Sequence, residues 1–242
     1  MWHKFVPRNN REGMVLFWVF VEPAAQLAIL LILLTLVGRA AGYGTSFALF
    51  LLTGISTLHL FNSTSTAVKN AVATLESPRR LATVGVFTPA IAALGFRFTV
   101  GVVSAIALGY GVVVWQHLHG VPYDFLTCLE AFVLTALLAF GMGLIRGYSR
   151  LFMPVFERVY AIFSRVLLFI SGVFYVPSFL PPAFRELLAW NPVLHAIDWV
   201  RTGVYSGYPE LILSRGYFVA FVLGSVALGC ALIWHDRRRI LQ

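Results

Sequence analysis

Long apolar runs separated by short polar turns constrain this chain more than any other feature of the sequence. Hydrophobic residues make up 59% of the 242 residues and charged residues only 12%, whereas a soluble domain has roughly 45–50% apolar residues. A helix of about 20 residues, at about 1.5 Å per residue, crosses a hydrocarbon layer of roughly 30 Å. Several runs reach this length. The sequence therefore predicts an all-α polytopic membrane protein.

Six of the apolar runs are predicted to span the membrane. Their approximate bounds are 16–38, 46–67, 95–115, 125–145, 159–177 and 216–234. In the longer run 82–115, Pro89 and Arg97 predict an interfacial lead-in, so that the helix proper begins near residue 95. Glycine pairs spaced by four residues fall near the predicted helix ends, and we interpret them as turn formers: Gly38 with Gly42, Gly143 with Gly147, and Gly203 with Gly207.

The basic residues predict the orientation of the chain. A net charge of +8 would suggest a nucleic-acid partner in a soluble protein, but in a membrane protein Lys and Arg collect at cytoplasmic helix ends. With both termini cytoplasmic, twelve of them lie on the cytoplasmic side: Lys4, Arg8, Arg11, Lys69, Arg79, Arg80, Arg146, Arg150, Arg158, Arg237, Arg238 and Arg239. Four lie on the opposite side: Arg39, Arg185, Arg201 and Arg215. We expect no nucleic-acid binding.

The segment 177–205 is apolar and aromatic, yet it is not expected to span the membrane. It combines four prolines with five titratable residues: Pro177, Pro181, Pro182 and Pro192, with Arg185, Glu186, His195, Asp198 and Arg201. Backbone groups freed by proline, and charges, find no partners in hydrocarbon. Two short helices are predicted, 181–190 and 192–205, the second with Asn191 as N-cap and Pro192 at its first position. We therefore expect a re-entrant helical hairpin between spans five and six, at the outer face.

Catalytic chemistry has little support in the sequence. Neither lysine, Lys4 or Lys69, follows a glycine, so the chain has no phosphate-binding P-loop. His195 and Asp198 stand three residues apart and could share a helix face, but two ligands do not complete a metal site. A lipid-modifying membrane enzyme using this pair remains an alternative. A secondary carrier is a third hypothesis, although no internal repeat is visible. We predict no catalytic residue and no metal site.

Ionisable residues inside predicted spans are candidates for function. Arg97, Glu130 and Arg165 are of this kind, and Glu22 lies near the start of the first span. The arginines have two interpretations, which the sequence leaves open: they extend to lipid headgroups, or they line a path for anions. His59 lies in the second span with no carboxylate partner evident from the sequence.

Several short motifs, in order along nearly the whole chain, resemble a known family. They are Phe17-Trp18 followed by Glu22-Pro23, Pro89 after a basic loop, Ser171-Gly172, Leu180-Pro181, and Asn191-Pro192 leading to Arg201. Together with the six-span plan and the broken segment between spans five and six, they resemble the membrane (permease) subunit of type 2 ABC transporters. The resemblance is to the branch that exports capsular polysaccharide and O-antigen.

The resemblance implies partners as well as a fold, the type 2 ABC exporter membrane fold. The chain is expected to form a homodimer in the bacterial inner membrane, with two separate ABC ATPase subunits that hold ATP and magnesium. No cofactor is expected on this chain. The implied cargo is a lipid-linked, acidic capsular polysaccharide, with O-antigen or teichoic acid as the alternative. Periplasmic export proteins are further implied partners.

The same resemblance implies roles for individual residues. The loop 69–80 would be the coupling helix that contacts the ATPase, through Lys69, Asn70, Glu76, Ser77, Arg79 and Arg80. Residues of the translocation path would be Arg97, Trp18, Glu22 and Arg165. The segment 177–205 would be the outer gate, with Pro181, Asn191, Pro192, His195, Asp198 and Arg201.

Overall fold

The computed structural model describes residues 8–38, 42–73, 87–119 and 122–235, with the side chains of all of these except residues 8–20, 151 and 154. The described ranges are helical and contain no strand. Their α-helices are α1 (Arg8–Leu36), α2 (Phe47–Ala73), α3 (Thr88–Trp115), α4 (Phe125–Phe152), α5 (Pro154–Ile170), α6 (Pro182–Leu188), α7 (Pro192–Val204) and α8 (Arg215–His235). A short 3₁₀ helix, Pro177–Phe179, precedes α6.

Four of these helices are long and apolar enough to cross a membrane. They are α2, α3, the stretch Phe125–Arg150 of α4, and α8. A further apolar stretch, Val21–Leu36, forms the second half of α1, and α5 has 17 residues. The described helices therefore support the prediction of an all-α polytopic membrane protein.

Several helix boundaries differ from those predicted from the sequence. Pro89 does not separate a lead-in from the helix proper, because α3 runs without a break from Thr88 and carries this proline in its first turn, where a missing N–H costs nothing. Pro23 likewise lies inside a continuous α1. The fourth helix continues to Phe152, beyond the predicted end near 145. The fifth ends at Ile170 rather than near 177, because Gly172 adopts a φ of +74°.

α2 and α4 form the centre of the fold. The first two-thirds of α2 is almost entirely buried, and Phe50, Leu51 and Leu60 have no exposed surface. Leu138 and Leu144 of α4 are buried to the same degree. In lipid, burial of apolar surface does not by itself drive helices together, so close packing of small residues has to supply much of the attraction.

Glycines of α4 provide that close packing. A Cβ atom on Gly143 would lie 2.6 Å from Cβ of Val68, and one on Gly147 would lie 2.6 Å from Cβ of Val72. The interpretation of this glycine pair as a turn former was wrong, because both residues lie within α4 against α2. Gly203 was also misassigned: it lies in α7 against Cys128. Gly38 and Gly207 do lie in turns, with φ of +76° and +72°.

The remaining helices surround this centre unequally. α7 and α8 pack on α4, and large buried side chains such as Leu194, Ile197 and Phe218 fix them there. α5, in contrast, exposes one side of its middle turns, including Val159, Ile162 and Phe163. α1 and α3 also expose many large apolar side chains. Surfaces of this kind suit contact with lipid or with another membrane helix.

We expect Gly143→Ala to destabilise the protein by about 1–3 kcal/mol, since the added methyl group would overlap Val68 and the carbonyl oxygen of Ser65. Gly111→Ala is the matched control, because a Cβ at Gly111 of α3 meets no atom within 4 Å. Alanine favours a helix over glycine, so this control should be neutral or slightly stabilising. The thermal midpoint of the detergent-purified variants measures the difference. Equal midpoints for the two variants would contradict the close α2–α4 contact.

Candidate functional site

α7 carries the predicted gate residues His195, Asp198 and Arg201, and it lies inside the subunit rather than on its surface. Asn191 begins the helix as predicted, since its side-chain oxygen accepts the N–H of Val193 at 3.0 Å and Pro192 follows at the first helical position. From Val193 to Arg201 every residue is buried. The polar groups of α7 must therefore find their partners within the protein.

The guanidinium of Arg201 is the centre of this polar cluster. Arg201 has 0% of its surface exposed. Its Nη1 donates to the carbonyl oxygens of Gly172 at 2.7 Å and Tyr175 at 3.2 Å, and its Nη2 donates to that of Val173 at 3.1 Å. The guanidinium also lies 3.8 Å from the ring centroid of Phe50 in α2. One side chain thus joins α7, α2 and the chain that follows α5.

The carbonyls that Arg201 binds are available because α5 ends at Ile170. Gly172 takes a left-handed conformation, where a Cβ atom would lie 2.9 Å from Pro177, so glycine suits this turn. The carbonyls of residues 172–175 then leave the helical pattern, and Arg201 satisfies three of them. Unsatisfied carbonyls are costly in a membrane. Arg201 therefore caps the end of α5 from a distant helix.

Asp198 lies one turn before Arg201 on α7 and is fully buried. The hydroxyl of Tyr208 donates to its Oδ1 at 2.9 Å, and Tyr208 also lies 3.5 Å from Nη1 of Arg201. The Oδ2 atom has no hydrogen-bond partner among the described residues. Burial raises the pKa of Asp198 to about 6, although the nearby Arg201 charge and the Tyr208 hydroxyl act in the opposite direction.

Both ring nitrogens of His195 are occupied. Nε2 lies 2.7 Å from the carbonyl oxygen of Ala189, and Nδ1 accepts the N–H of Ser214 at 3.3 Å. A neutral ring with its proton on Nε2 satisfies both contacts, and burial lowers the pKa of His195. The ring therefore connects the chain before α7 to the start of α8. It offers no free nitrogen for a metal or a substrate.

The other predicted gate residues lie nearer the surface. Asn191 donates from Nδ2 to Ser171 Oγ at 2.9 Å, which holds the start of α7 beside the end of α5. Pro181 precedes α6 and is exposed. Around it lies an exposed apolar surface, which includes Phe179, Phe184, Leu187 and Trp190.

The predicted path residues occupy different helices. Glu22 Oε2 lies 3.7 Å from His59 Nε2, which gives His59 the carboxylate partner that the sequence did not reveal. Arg97 of α3 is half-buried. Arg165 is exposed on α5 and is not part of this group. Trp18 lies in α1, but its side chain is outside the described part of the structure.

Two of the predicted ATPase-coupling residues lie in the last turns of α2. Lys69 Nζ contacts Glu157 Oε1 of α5 at 2.6 Å, and the same oxygen accepts from Arg146 Nη2 of α4 at 2.6 Å. Asn70 accepts a long bond of 3.4 Å from Arg150. The other four, Glu76, Ser77, Arg79 and Arg80, lie outside the described residues. Sequence reasoning did not identify Glu157 or the inward role of Arg146, since it treated 146–158 as a polar connection.

The His195 and Asp198 pair does not line the apolar crevice between α2, α3 and α4. This crevice has a volume of about 340 Å³, and α7 contributes only Val200 and Val204 to it. Its lining is nearly all apolar, with Thr53, Ser56 and Cys128 as minor polar members. Among the described residues, no group of three His, Cys, Asp or Glu side chains is placed to hold a metal ion. The arrangement favours a structural role for the buried polar groups.

We expect Arg201→Lys to destabilise the protein strongly, although it keeps the charge. A single ammonium cannot reach the three carbonyls that the guanidinium binds, and breaking a buried charged network by removing one partner costs about 3–5 kcal/mol. Arg215→Lys is the control, because the Arg215 side chain is 51% exposed. The thermal midpoint should fall for the first variant and stay within error for the second. An unchanged midpoint for Arg201→Lys would show that the carbonyl bonds contribute little.

The raised pKa of Asp198 predicts that folding stability depends on pH. Its folded-state pKa of about 6 lies above the ordinary value of 3.8, so ionisation disfavours the folded state and stability should fall as pH rises from about 4 to 6. Asp198→Asn keeps an oxygen for Tyr208 but cannot ionise. In this variant the free energy of unfolding should no longer fall by roughly 2–3 kcal/mol over this pH range. Thermal midpoints of both proteins between pH 4 and 7 measure it; parallel curves would contradict the assignment.

Comparison with known proteins gives relatives over most of the chain, although no family model matches. The polysialic acid transport protein KpsM of Escherichia coli is 28% identical over 220 residues, which cover 89% of this chain and 83% of the relative. The capsule polysaccharide export inner-membrane protein BexB of Haemophilus influenzae is 26% identical, with 95% and 86% covered. The corresponding protein CtrC of Neisseria meningitidis is 24% identical, with the same shares covered. These matches confirm the resemblance to the capsular polysaccharide branch and relate nearly the whole chain to capsule export inner-membrane proteins.

Proposed function

We propose that this chain is the transmembrane subunit of a capsule polysaccharide exporter in the bacterial inner membrane. The observation that carries the proposal is the extent of the similarity: relatives named for capsule polysaccharide export align with up to 95% of the chain and with up to 86% of their own length. The described part of the chain is helical and includes four helices suited to crossing a membrane, which accords with this function. The named relatives favour capsule over O-antigen or teichoic acid as the cargo.

The assembly we propose is a homodimer with two separate ABC ATPase subunits. The chain lacks a P-loop, so ATP and magnesium would be held by these partners. In this arrangement α1, α5 and the four long apolar helices are the six spans, with both termini cytoplasmic. The exposed apolar sides of α1 and α5 supply surfaces for lipid and for the second copy. Periplasmic export proteins would receive the polysaccharide on the outer side.

A polar stripe on α2 supports a path for a hydrophilic cargo. Ser56, His59, Ser63 and Thr66 recur at helical spacing and are half-buried or exposed, while the opposite side of α2 is packed. Glu22 of α1 lies over His59 at 3.7 Å, and its side chain is 72% exposed. Hydroxyl, imidazole and carboxylate groups can exchange hydrogen bonds with sugars. Arg97 would attract the acidic groups of the cargo or the phosphate of its lipid anchor. Trp18 and Arg165 are proposed path residues on the family resemblance alone.

The segment 177–205 would close the path on the outer side. Neither α6, with 7 residues, nor α7, with 13, can cross a hydrocarbon core of about 30 Å. A re-entrant hairpin requires its polar groups to be covered by protein, and the burial of His195, Asp198 and Arg201 meets this requirement. The exposed apolar side chains of Phe184, Leu187 and Trp190 then form the surface by which two such hairpins would meet.

The alternative of a lipid-modifying enzyme is less well supported. It requires His195 and Asp198 to reach a substrate, but both are buried and the histidine nitrogens are occupied. A carboxylate and an imidazole in this state serve as structural hydrogen-bonding groups.

The function is tested by co-expression with an ABC ATPase of a capsule export system from the same organism, in a strain that makes the lipid-linked polysaccharide but has no exporter of its own. We expect the two proteins to co-purify and polysaccharide to reach the cell surface only when both are present. An ATPase variant without its P-loop lysine is the control, and it should assemble without export. Turnover of a lipid by the purified chain alone, lost in His195→Ala, would instead establish the enzyme alternative.

A further inference from the structure

A buried ion cluster joins three helices at the end of the molecule where α2 stops. Glu157, in the first turn of α5, accepts hydrogen bonds at Oε1 from Lys69 of α2 and at both carboxylate oxygens from Arg146 of α4. Arg146 also donates to Ser65 Oγ at 2.9 Å, and its guanidinium lies 3.9 Å from the ring centroid of Tyr160. The side chains of Lys69 and Arg146 are only 13% and 6% exposed.

Glu157 is the member of this cluster that the other two charges depend on. The cluster contains two cations and one carboxylate, and each cation contacts that carboxylate at 2.6 Å. Charge-assisted bonds of this length are among the strong hydrogen bonds of proteins. Without Glu157, two poorly exposed cations would face each other with no anion between them.

α5 has few other connections near this end. Its first three turns expose Val155, Val159 and Ile162, so apolar packing fixes only part of the helix. At its other end, Arg201 binds the carbonyls of Gly172 and Val173. α5 is therefore attached at its two ends by polar groups, through Glu157 to α2 and α4, and through Arg201 to α7.

Lys69 links this attachment of α5 to the end of α2 that leads towards the proposed ATPase contact. Lys69 lies four residues before the end of α2 at Ala73, and the chain then continues into residues 74–80, the proposed contact with the ATPase. The Lys69 ammonium is used by Glu157. A displacement of this end of α2 that moves Lys69 therefore acts on α5 directly at that contact, beside the contact that Arg146 of α4 makes with the same carboxylate.

We propose that Glu157 is the positioning residue that transmits movement of the ATPase-linked end of α2 to α5, and that Lys69 acts in this link rather than as an ATPase contact. The inference rests on the proposed function. α5 then passes the displacement to the turn held by Arg201, next to the gate segment. The cluster is the joint between α2 and α5: it passes a small displacement of one packed helix to the other through direct side-chain contacts.

Glu157→Gln tests the joint in the complete complex with its ATPases. The amide keeps the size of the side chain but removes its charge. For equal amounts of assembled complex we expect the same ATP hydrolysis as in the wild type, with polysaccharide exported per ATP reduced about tenfold, a typical size for coupling between sites. Glu157→Asp should recover part of the loss. Glu210→Gln is the matched control, because Glu210 pairs with Arg215 at 3.5 Å in an exposed position on the α8 side, and it should export normally.

If the Glu157→Gln complex does not assemble, a variant that exchanges the charges of Lys69 and Glu157 tests the same proposal. Lys69→Glu combined with Glu157→Lys retains one carboxylate and two cations among the same three positions. Each single change should abolish export, and the double variant should restore at least about a third of it, because residues in direct contact are energetically coupled. A double variant as defective as the single ones, or wild-type export per ATP in Glu157→Gln, would overturn the proposal.

A measurement of α5 movement that needs no polysaccharide tests the role of Glu157 separately from the proposed export function. A fluorophore on Ile162→Cys, which is exposed on α5, can report movement of α5 on addition of ATP, after the free cysteines Cys128 and Cys230 are replaced by alanine. We expect a response in the wild-type complex and none in Glu157→Gln. A wild-type complex that responds to ATP but exports no polysaccharide would contradict the proposed cargo and leave the joint in place. An equal response in both proteins would contradict the joint.

Discussion

The bonds from the Arg201 guanidinium to the carbonyls of residues 172–175 are the interaction on which the arrangement of α5, α6 and α7 depends. A helix that ends inside a membrane leaves carbonyls that water cannot reach. Arg201 satisfies three of them with a planar group of five donors, and it also stacks on Phe50. α5 can therefore end early, and the chain can form two short helices instead of a continuous span.

Much of the helical architecture could be predicted from apolar runs, because a membrane allows few alternatives to a helix. The errors have local causes. Pro89 resembled an interruption, but it lies in the first turn of α3. α4 continues through Arg146 because that side chain is paired inside the protein, and composition alone assigns such a residue to a polar loop.

The site was predictable only in part, for a related reason. Prolines and charges in 177–205 indicated a segment that does not span, and Asn191-Pro192 predicted the start of α7. The partners of Arg201 could not be inferred, because they are backbone carbonyls 26 to 29 residues away that become free only through the turn at Gly172. The same holds for His59, whose carboxylate partner Glu22 comes from another helix. Contacts between helices leave no periodic signal in the sequence.

The helices fall into two groups, those that are closely packed on one another and α5, which has few buried contacts. α2, α4, α7 and α8 meet through glycines and fully buried side chains, and such contacts allow little movement. α5 is attached mainly at its ends, by Glu157 and by the carbonyls that bind Arg201, while its middle is exposed. Elements with few buried contacts are those that move at low energetic cost. Under the proposed function, a displacement of either attached end would therefore change the tilt of α5 at low cost, because between its ends only a few side chains such as Tyr160 and Leu167 are buried.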